Sequence, residues 1–151
     1  MTPTEPLPLH HSWPSWASTR VDLGRVDDDL AADASSVAAL AGLAAGRWSC
    51  DLTTGRIAWS SALHRLFGFD RIGLLPARDD VLPLYQEGSR VAMERLRAHA
   101  IRHCRGFTLD IAVRSLAGDD LWVRLIAAPL AVDGQVVRLD GWKADVTHLY
   151  A

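Results

Sequence analysis

The sequence predicts an α+β domain, an antiparallel sheet covered on one face by helices. Three observations carry that reading. Period-two alternation of apolar and polar residues runs through 107–114 and returns at 121–127. A helical pattern of apolar residues fills 87–104. Ahead of it, Arg47 to Ser60 holds two short β-type runs, each with a tryptophan, around Leu52-Thr53-Thr54-Gly55. Strands flanking a helical middle, joined by short turns, place helices on one face of an antiparallel sheet.

The elements follow in order. Residues 1–26 are rich in Pro, Ser and Thr without a sustained period, the composition of a largely disordered tail. Trp13 and Trp16 stand out in it, as aromatics that dock on the protein's own surface or anchor a partner. Asp27-Asp28-Asp29 supplies acids and caps suited to the positive end of a helix. Residues 30–45 are Ala-rich, and Leu30, Ala34, Val37, Leu40, Ala41 and Ala44 fall near one face. Residues 27–45 therefore predict an amphipathic helix whose narrow stripe covers the domain's own sheet, pairs with a second copy, or does both. Gly46 ends it and opens a domain at 46–151.

In the hairpin, Trp48 and Cys50 share one strand and Ile57 and Trp59 the next, with Gly55 free to take positive φ in the turn. Ser60-Ser61 offers a helix N-cap and Gly68 a stop. Gly73, Pro76 and Pro83 break the stretch from 69 to 85 into loop and short helical turns. In the long helix, Ala92, Met93, Ala100 and His103 cluster about Leu96, with His99 at the edge of that face. Gly106 breaks the helix. Phe107, Leu109, Ile111 and Val113 then point one way, and Leu121, Val123, Leu125 and Ala127 do so on the following strand. Pro129 marks the far end of that strand as an edge or bulge. Asp133-Gly134 is a strong hairpin signal, and 135–146 forms the last of five strands.

Composition narrows the function. At 151 residues and 49% hydrophobic, the chain fills one domain with a core that needs no staples. A net charge of -2 argues against nucleic acid as the main partner. Cys50 and Cys104 are far apart and read as reduced thiols, with Cys50 an inert core thiol. No run approaches the roughly 20 apolar residues of a membrane helix, and no signal-peptide pattern opens the chain. The expectation is a cytoplasmic protein without membrane insertion. No glycine-rich phosphate loop, GxSxG or HExxH is present, and the acids sit where capping explains them, so no enzyme is expected. His99 and His103, four apart, have the spacing of a metal pair but lack further ligands; they read as core-edge histidines and no metal site is predicted.

The order of elements resembles a PAS domain of the type with a C-terminal PAC motif, common in bacterial sensor kinases. The matching residues are Gly46-Arg47-Trp48 with Asp51, Thr54-Gly55-Arg56, Trp59-Ser60, Leu66-Phe67-Gly68-Phe69, and Asp110 with Arg114. Gly118-Asp119 followed by Leu121-Trp122-Val123 fits loosely, and Gly141-Trp142-Lys143-Ala144-Asp145-Val146-Thr147 fits the Gly-x-x-x-Asp-Ile-Thr ending well. The resemblance implies a five-stranded PAS sheet over residues 45–150. It does not extend to cofactors. Leu82-Pro83-Leu84-Tyr85 replaces the family's His-Pro-Asp-Asp, and His103-Cys104-Arg105-Gly106 lacks the flavin-reactive Asn-Cys-Arg-Phe-Leu. Ser89, not a histidine, stands near the haem-ligand place. Neither haem nor flavin is supported by a motif.

The PAS resemblance sets the functional expectations. An internal apolar pocket is the default ligand site, with His64, Phe67, Met93, Leu96, Ile111, Val113, Leu125 and Gly141 as candidate lining. Asp145 and Thr147 belong to the motif that leads into an output helix in multidomain sensors. Here the chain stops at Ala151. The leading expectation is a free-standing, non-enzymatic signalling regulator acting by protein contact on a histidine kinase or another PAS protein. Leu30, Val37 and Leu40 of the first helix, and Trp122 and Trp142 outward on the sheet, are the candidate interface, for that partner or for a homodimer. The alternative is a sensor that binds haem, flavin or a metabolite in the pocket.

Overall fold

The structure, a computed structural model, describes residues 12–15, 44–69 and 77–150. Most of the predicted helix at 27–45 lies outside the described residues, and with it Trp16, Leu30, Val37 and Leu40. The strands are β1 (Ser12–Pro14), β2 (Ala45–Asp51), β3 (Ile57–Trp59), β4 (Arg105–Arg114), β5 (Asp120–Val132) and β6 (Gln135–Asp145). They form one antiparallel sheet in the order β1-β4-β5-β6-β2-β3. The helices α1 (Ser61–Phe67), α2 (Arg78–Val81) and α3 (Glu87–His103) connect β3 to β4, with a 3-10 turn at Leu82–Leu84 before α3. The predicted α+β class holds.

The sheet has a sixth strand where the sequence predicts five. β1 falls in the stretch expected to be a disordered tail, and it pairs Ser12 with Phe107, Trp13 with Gly106 and Pro14 with Arg105. Gly106 is the physical reason. A Cβ there would come within 2.1 Å of the Trp13 ring, so the indole lies directly on a bare backbone. Its Nε1–H donates to Thr108 Oγ1 at 3.1 Å. α3 ends at His103, close to the expected end, and its C-cap Cys104 takes the left-handed conformation (φ 52°). Ala45, read as the end of the preceding helix, is the first residue of β2 and pairs with Ala144.

Other signals behave as the sequence implies. Asp133 and Gly134 both have positive φ (52° and 79°), as a two-residue hairpin turn requires. Pro129 lies past Ala127, where β4 stops pairing with β5, so its missing N–H leaves no gap in that ladder. A bulge follows at Leu130/Ala131. Ser60 occupies the N-cap of α1, but its Oγ is buried without a hydrogen bond. The Ser60 carbonyl closes the first turn instead, accepting from Leu63 N at 3.0 Å and His64 N at 3.3 Å.

The sheet buries both faces. The inner face carries Phe107, Leu109, Ile111, Val113, Val123, Leu125 and Leu139 against Leu63, Phe67, Met93 and Ala100 of the helices. The outer face carries Trp122 and Trp142, as the alternation predicts. They are not exposed, however, at 7% and 1%. Distant parts of the same chain cover them. Trp13 joins Ile126, Ala128, Trp142 and Ala144 in one cluster, and the Arg47 guanidinium lies 5.0 Å from the Trp142 ring. Tyr150 stacks on Trp122 at 4.2 Å and 8°. The expectation of an open aromatic face is therefore corrected.

Asp145 and Thr147 make the turn that brings Tyr150 there. Asp145 Oδ1 accepts from Thr147 N at 2.9 Å and from its hydroxyl at 2.6 Å, while Thr147 Oγ1 accepts from Trp122 N at 3.0 Å. The Tyr150 hydroxyl donates to Asp110 Oδ2 at 2.6 Å. Asp110 is fully buried and accepts both arms of Arg124, at 2.8 and 3.0 Å, which raises the guanidinium's pKa through that hydrogen bond. Asp110 and Arg114, noted together in the sequence, do not pair with each other. Arg114 pairs with Asp120 at the surface.

Candidate functional site: a cavity around Lys143

A cavity of about 60 Å³ lies between the inner face and the helices. The β2–β3 hairpin sets Trp48 directly across from Trp59, both facing inward and both lining it. β6 supplies the floor. At Gly141 a Cβ would fall 1.7 Å from the Ile126 carbonyl oxygen and 3.0 Å from Trp48 Nε1. Only glycine lets β5, β6 and the Trp48 indole meet there, with Trp48 Nε1–H donating to the Trp142 carbonyl at 3.2 Å. Two residues on, alternation turns the next inward side chain into the cavity, and that side chain is Lys143.

Lys143 is 5% exposed. Its ammonium donates to the Tyr85 hydroxyl at 3.0 Å. It lies 5.1 Å from the Trp59 ring, 5.2 Å from Phe67, and 5.7 Å from each of Trp48 and Tyr85. All four are within the ~6 Å reach of cation–π attraction. Packing holds the rings in place: Trp59 stacks on Phe67 at 4.9 Å and meets Phe69 and His64 edge-on at 5.4 and 5.6 Å. Among the described residues no carboxylate pairs with Lys143. Arg78 and Arg97 also line the cavity, and among the described residues no Asp or Glu does. Arg78 is ion-paired with Glu94. The site is thus an apolar, aromatic chamber with cationic groups inside and at its wall.

The predicted lining residues divide. Met93 and Leu125 line the cavity, and Phe67 packs against the Lys143 ammonium. His64 stands behind Trp59, with Nδ1 3.1 Å from the Ser60 carbonyl oxygen. Leu96 is half-buried against the core, and Ile111 and Val113 are fully buried within it. Gly141 acts through strand approach and not as lining. Trp48 and Trp59 of the hairpin also form walls of the cavity, as does the buried thiol of Cys50.

The sequence reading passed over Lys143, although a signal was present. It is the only lysine among 16 Lys and Arg, and it falls on an inward position of an apolar strand. Tyr85 had no such signal, because its place is set by an isolated bridge to Val113. His99 and His103 are exposed, with rings 4.5 Å apart, and not at the edge of the core. Among the described residues no group of three or more His, Cys, Asp or Glu is placed to hold a metal ion. No helix among them is long and apolar enough to cross a membrane.

No protein-family model and no curated protein matches the chain. Solved structures do. A sensory box histidine kinase/response regulator from Burkholderia thailandensis is 23% identical, with a TM-score of 0.62 over 72% of this chain and 81% of that one. The N-terminal domain of a diguanylate cyclase with PAS/PAC sensor from Marinobacter aquaeolei is 15% identical, with a TM-score of 0.64 over 71% and 99%. A domain of a light and redox sensing histidine kinase from Haloarcula marismortui is 18% identical, with a TM-score of 0.61 over 70% and 92%. With its antiparallel sheet, helices gathered on the inner face and a cavity between them, the chain has the PAS fold.

Proposed function

We propose that this chain is a non-enzymatic sensory PAS module that binds a small molecule in its inner cavity and relays the bound state to a signalling partner. The observation that carries the reading is Lys143, an ammonium buried among four aromatic rings without a carboxylate partner among the described residues. Burial of an ammonium costs several kcal/mol, roughly, which cation–π attraction and one hydrogen bond offset only in part. A fold that keeps such a group is keeping it for something other than stability.

The cavity bears on the ligand's size. At about 60 Å³ it is small, and most of its wall is apolar. Among the described residues no histidine lines the cavity to hold a haem iron. The lining favours the metabolite reading over haem.

The relay runs along β6. The strand that turns Lys143 inward also carries Trp142 and Ala144 on the outer face and ends at Asp145. A ligand that shifts β6 shifts the footing of both Trp13 and Tyr150. The partner class is a histidine kinase or another PAS domain, by analogy with the named sensors above. The contact surface then lies under or around those two covers, and not on tryptophans already open to solvent.

Native mass spectrometry of the protein as purified tests the ligand reading. The expected result is a non-covalent small-molecule adduct in wild type that is lost in Lys143→Met. Adduct-free protein, with no melting shift against a broad metabolite panel, would overturn it.

A further inference from the structure

We infer that the ligand is a small carboxylate, held with its anionic end on the Lys143 ammonium and its apolar end among Trp48, Trp59 and Leu125; this rests on the ligand-sensing reading above. Three observations converge. The first is charge. Among the described residues, the groups of the cavity wall that carry charge are Lys143, Arg97 and Arg78, and none is acidic. Glu94 already occupies Arg78, which leaves Lys143 and Arg97 to set the sign inside.

The second is hydrogen-bonding capacity. An ammonium has three N–H donors and no acceptor. One reaches the Tyr85 hydroxyl, and the remaining donors face aromatic rings, whose π-faces are weak acceptors. A carboxylate supplies what is missing, both the negative charge and the acceptor oxygens. The Tyr85 hydroxyl, which accepts from Lys143, keeps its own O–H to donate to the second carboxylate oxygen.

The third is size and polarity. Most of the remaining wall is apolar, with Trp48, Trp59, Met93, Phe107, Leu125 and Leu139 among it. A small space with an apolar wall and a cation at one side suits a small ligand with one anionic end. That describes a short-chain monocarboxylate. A cation of the same size would find the rings already used by Lys143, and would meet like charge.

Calorimetric titration of the full chain with three matched probes tests this: butanoate, butanamide and tetramethylammonium. We expect butanoate to bind with a dissociation constant of about 0.1–1 mM, in keeping with so few atoms. Butanamide should bind at least about tenfold more weakly, because it lacks the charge that Lys143 needs. Lys143→Met should lower butanoate affinity by about tenfold or more, and Tyr85→Phe by a few-fold only. The comparison among probes on wild type stands even if a variant fails to fold. Butanamide or tetramethylammonium binding as tightly as butanoate would overturn the carboxylate assignment and leave the ligand-sensing reading intact. If none binds, the carboxylate assignment falls, and the mass spectrum of the purified protein decides the broader reading by itself.

Discussion

Replacing Lys143 by methionine together with Tyr85→Phe should make the protein more stable, against the ordinary rule that core substitutions destabilise. The magnitude follows from the surroundings. Wild type gains about 2 kcal/mol from a desolvated cation over aromatic rings, since four rings share one charge and do not multiply the effect. The charged hydrogen bond to Tyr85 adds about 1.5–3 kcal/mol. Against these stands the burial of an ammonium with no counter-ion among the described residues, which costs several kcal/mol, roughly, while its replacement by packed apolar groups gains about 1–4 kcal/mol where measured. Methionine is unbranched and one atom shorter than lysine, so it fills most of the same space with an apolar side chain. The net expectation is a gain of about 1–3 kcal/mol, or roughly 3–9 °C in Tm for a chain of this length. The single variant Lys143→Met should fall below the double, because it strands the Tyr85 hydroxyl at a cost of about 1–3 kcal/mol. Calorimetric melts in carboxylate-free buffer at pH 7 measure both. A double variant that loses more than about 1 kcal/mol would refute the reasoning, and would make Lys143 a structural cation whose rings more than compensate its desolvation.

Two further outcomes follow from the outer face. Gly106→Ala should expel the Trp13 ring, since its Cβ would overlap the indole; acrylamide quenching of tryptophan fluorescence should rise, and a Trp13 indole N–H resonance bonded to Thr108 should be lost. Unchanged quenching would mean that β1 is not seated on β4. Asp110→Asn should destabilise by about 3 kcal/mol, because it removes the charge facing Arg124 in a buried network. Asp120→Asn should leave the midpoint of urea unfolding near wild type, although Arg114 lowers the Asp120 pKa by the same kind of hydrogen bond, because that pair is open to solvent and salt. Equal effects at the two sites would contradict the assignment of Asp110 as the buried anchor.

How much of this was legible in the sequence depends on where the information sits. β4 and β5 were legible because each strand carries its own alternation long enough to fix a face. Asp133-Gly134 was legible because a two-residue turn is specified by its own residues. β1 was not, because three residues have no period and their seat is a missing Cβ at Gly106, far along the chain. For Trp122 and Trp142 the outward direction was legible and the cover was not, since Tyr150 and Trp13 reach them only through tertiary folding. Lys143 is the instructive case. Alternation from Leu139 and Gly141 points it inward, but it sits among the unspecified positions of the Gly-x-x-x-Asp ending, so pattern matching passed over a charge in the core. A lone lysine among arginines, on an inward strand position, is the signal to read first.

That lone lysine also gives the most direct test of the account. In protein labelled with carbon-13 at lysine, Lys143 supplies the only side-chain signal, and its ε-methylene sits against aromatic rings 5.1 to 5.7 Å from the ammonium. Ring currents should shift its ε-methylene protons well upfield of free lysine, and butanoate should shift them further. A signal at the free-lysine position that butanoate does not move would contradict it, because the ammonium would then lie in water and the cavity would hold no charge to recognise.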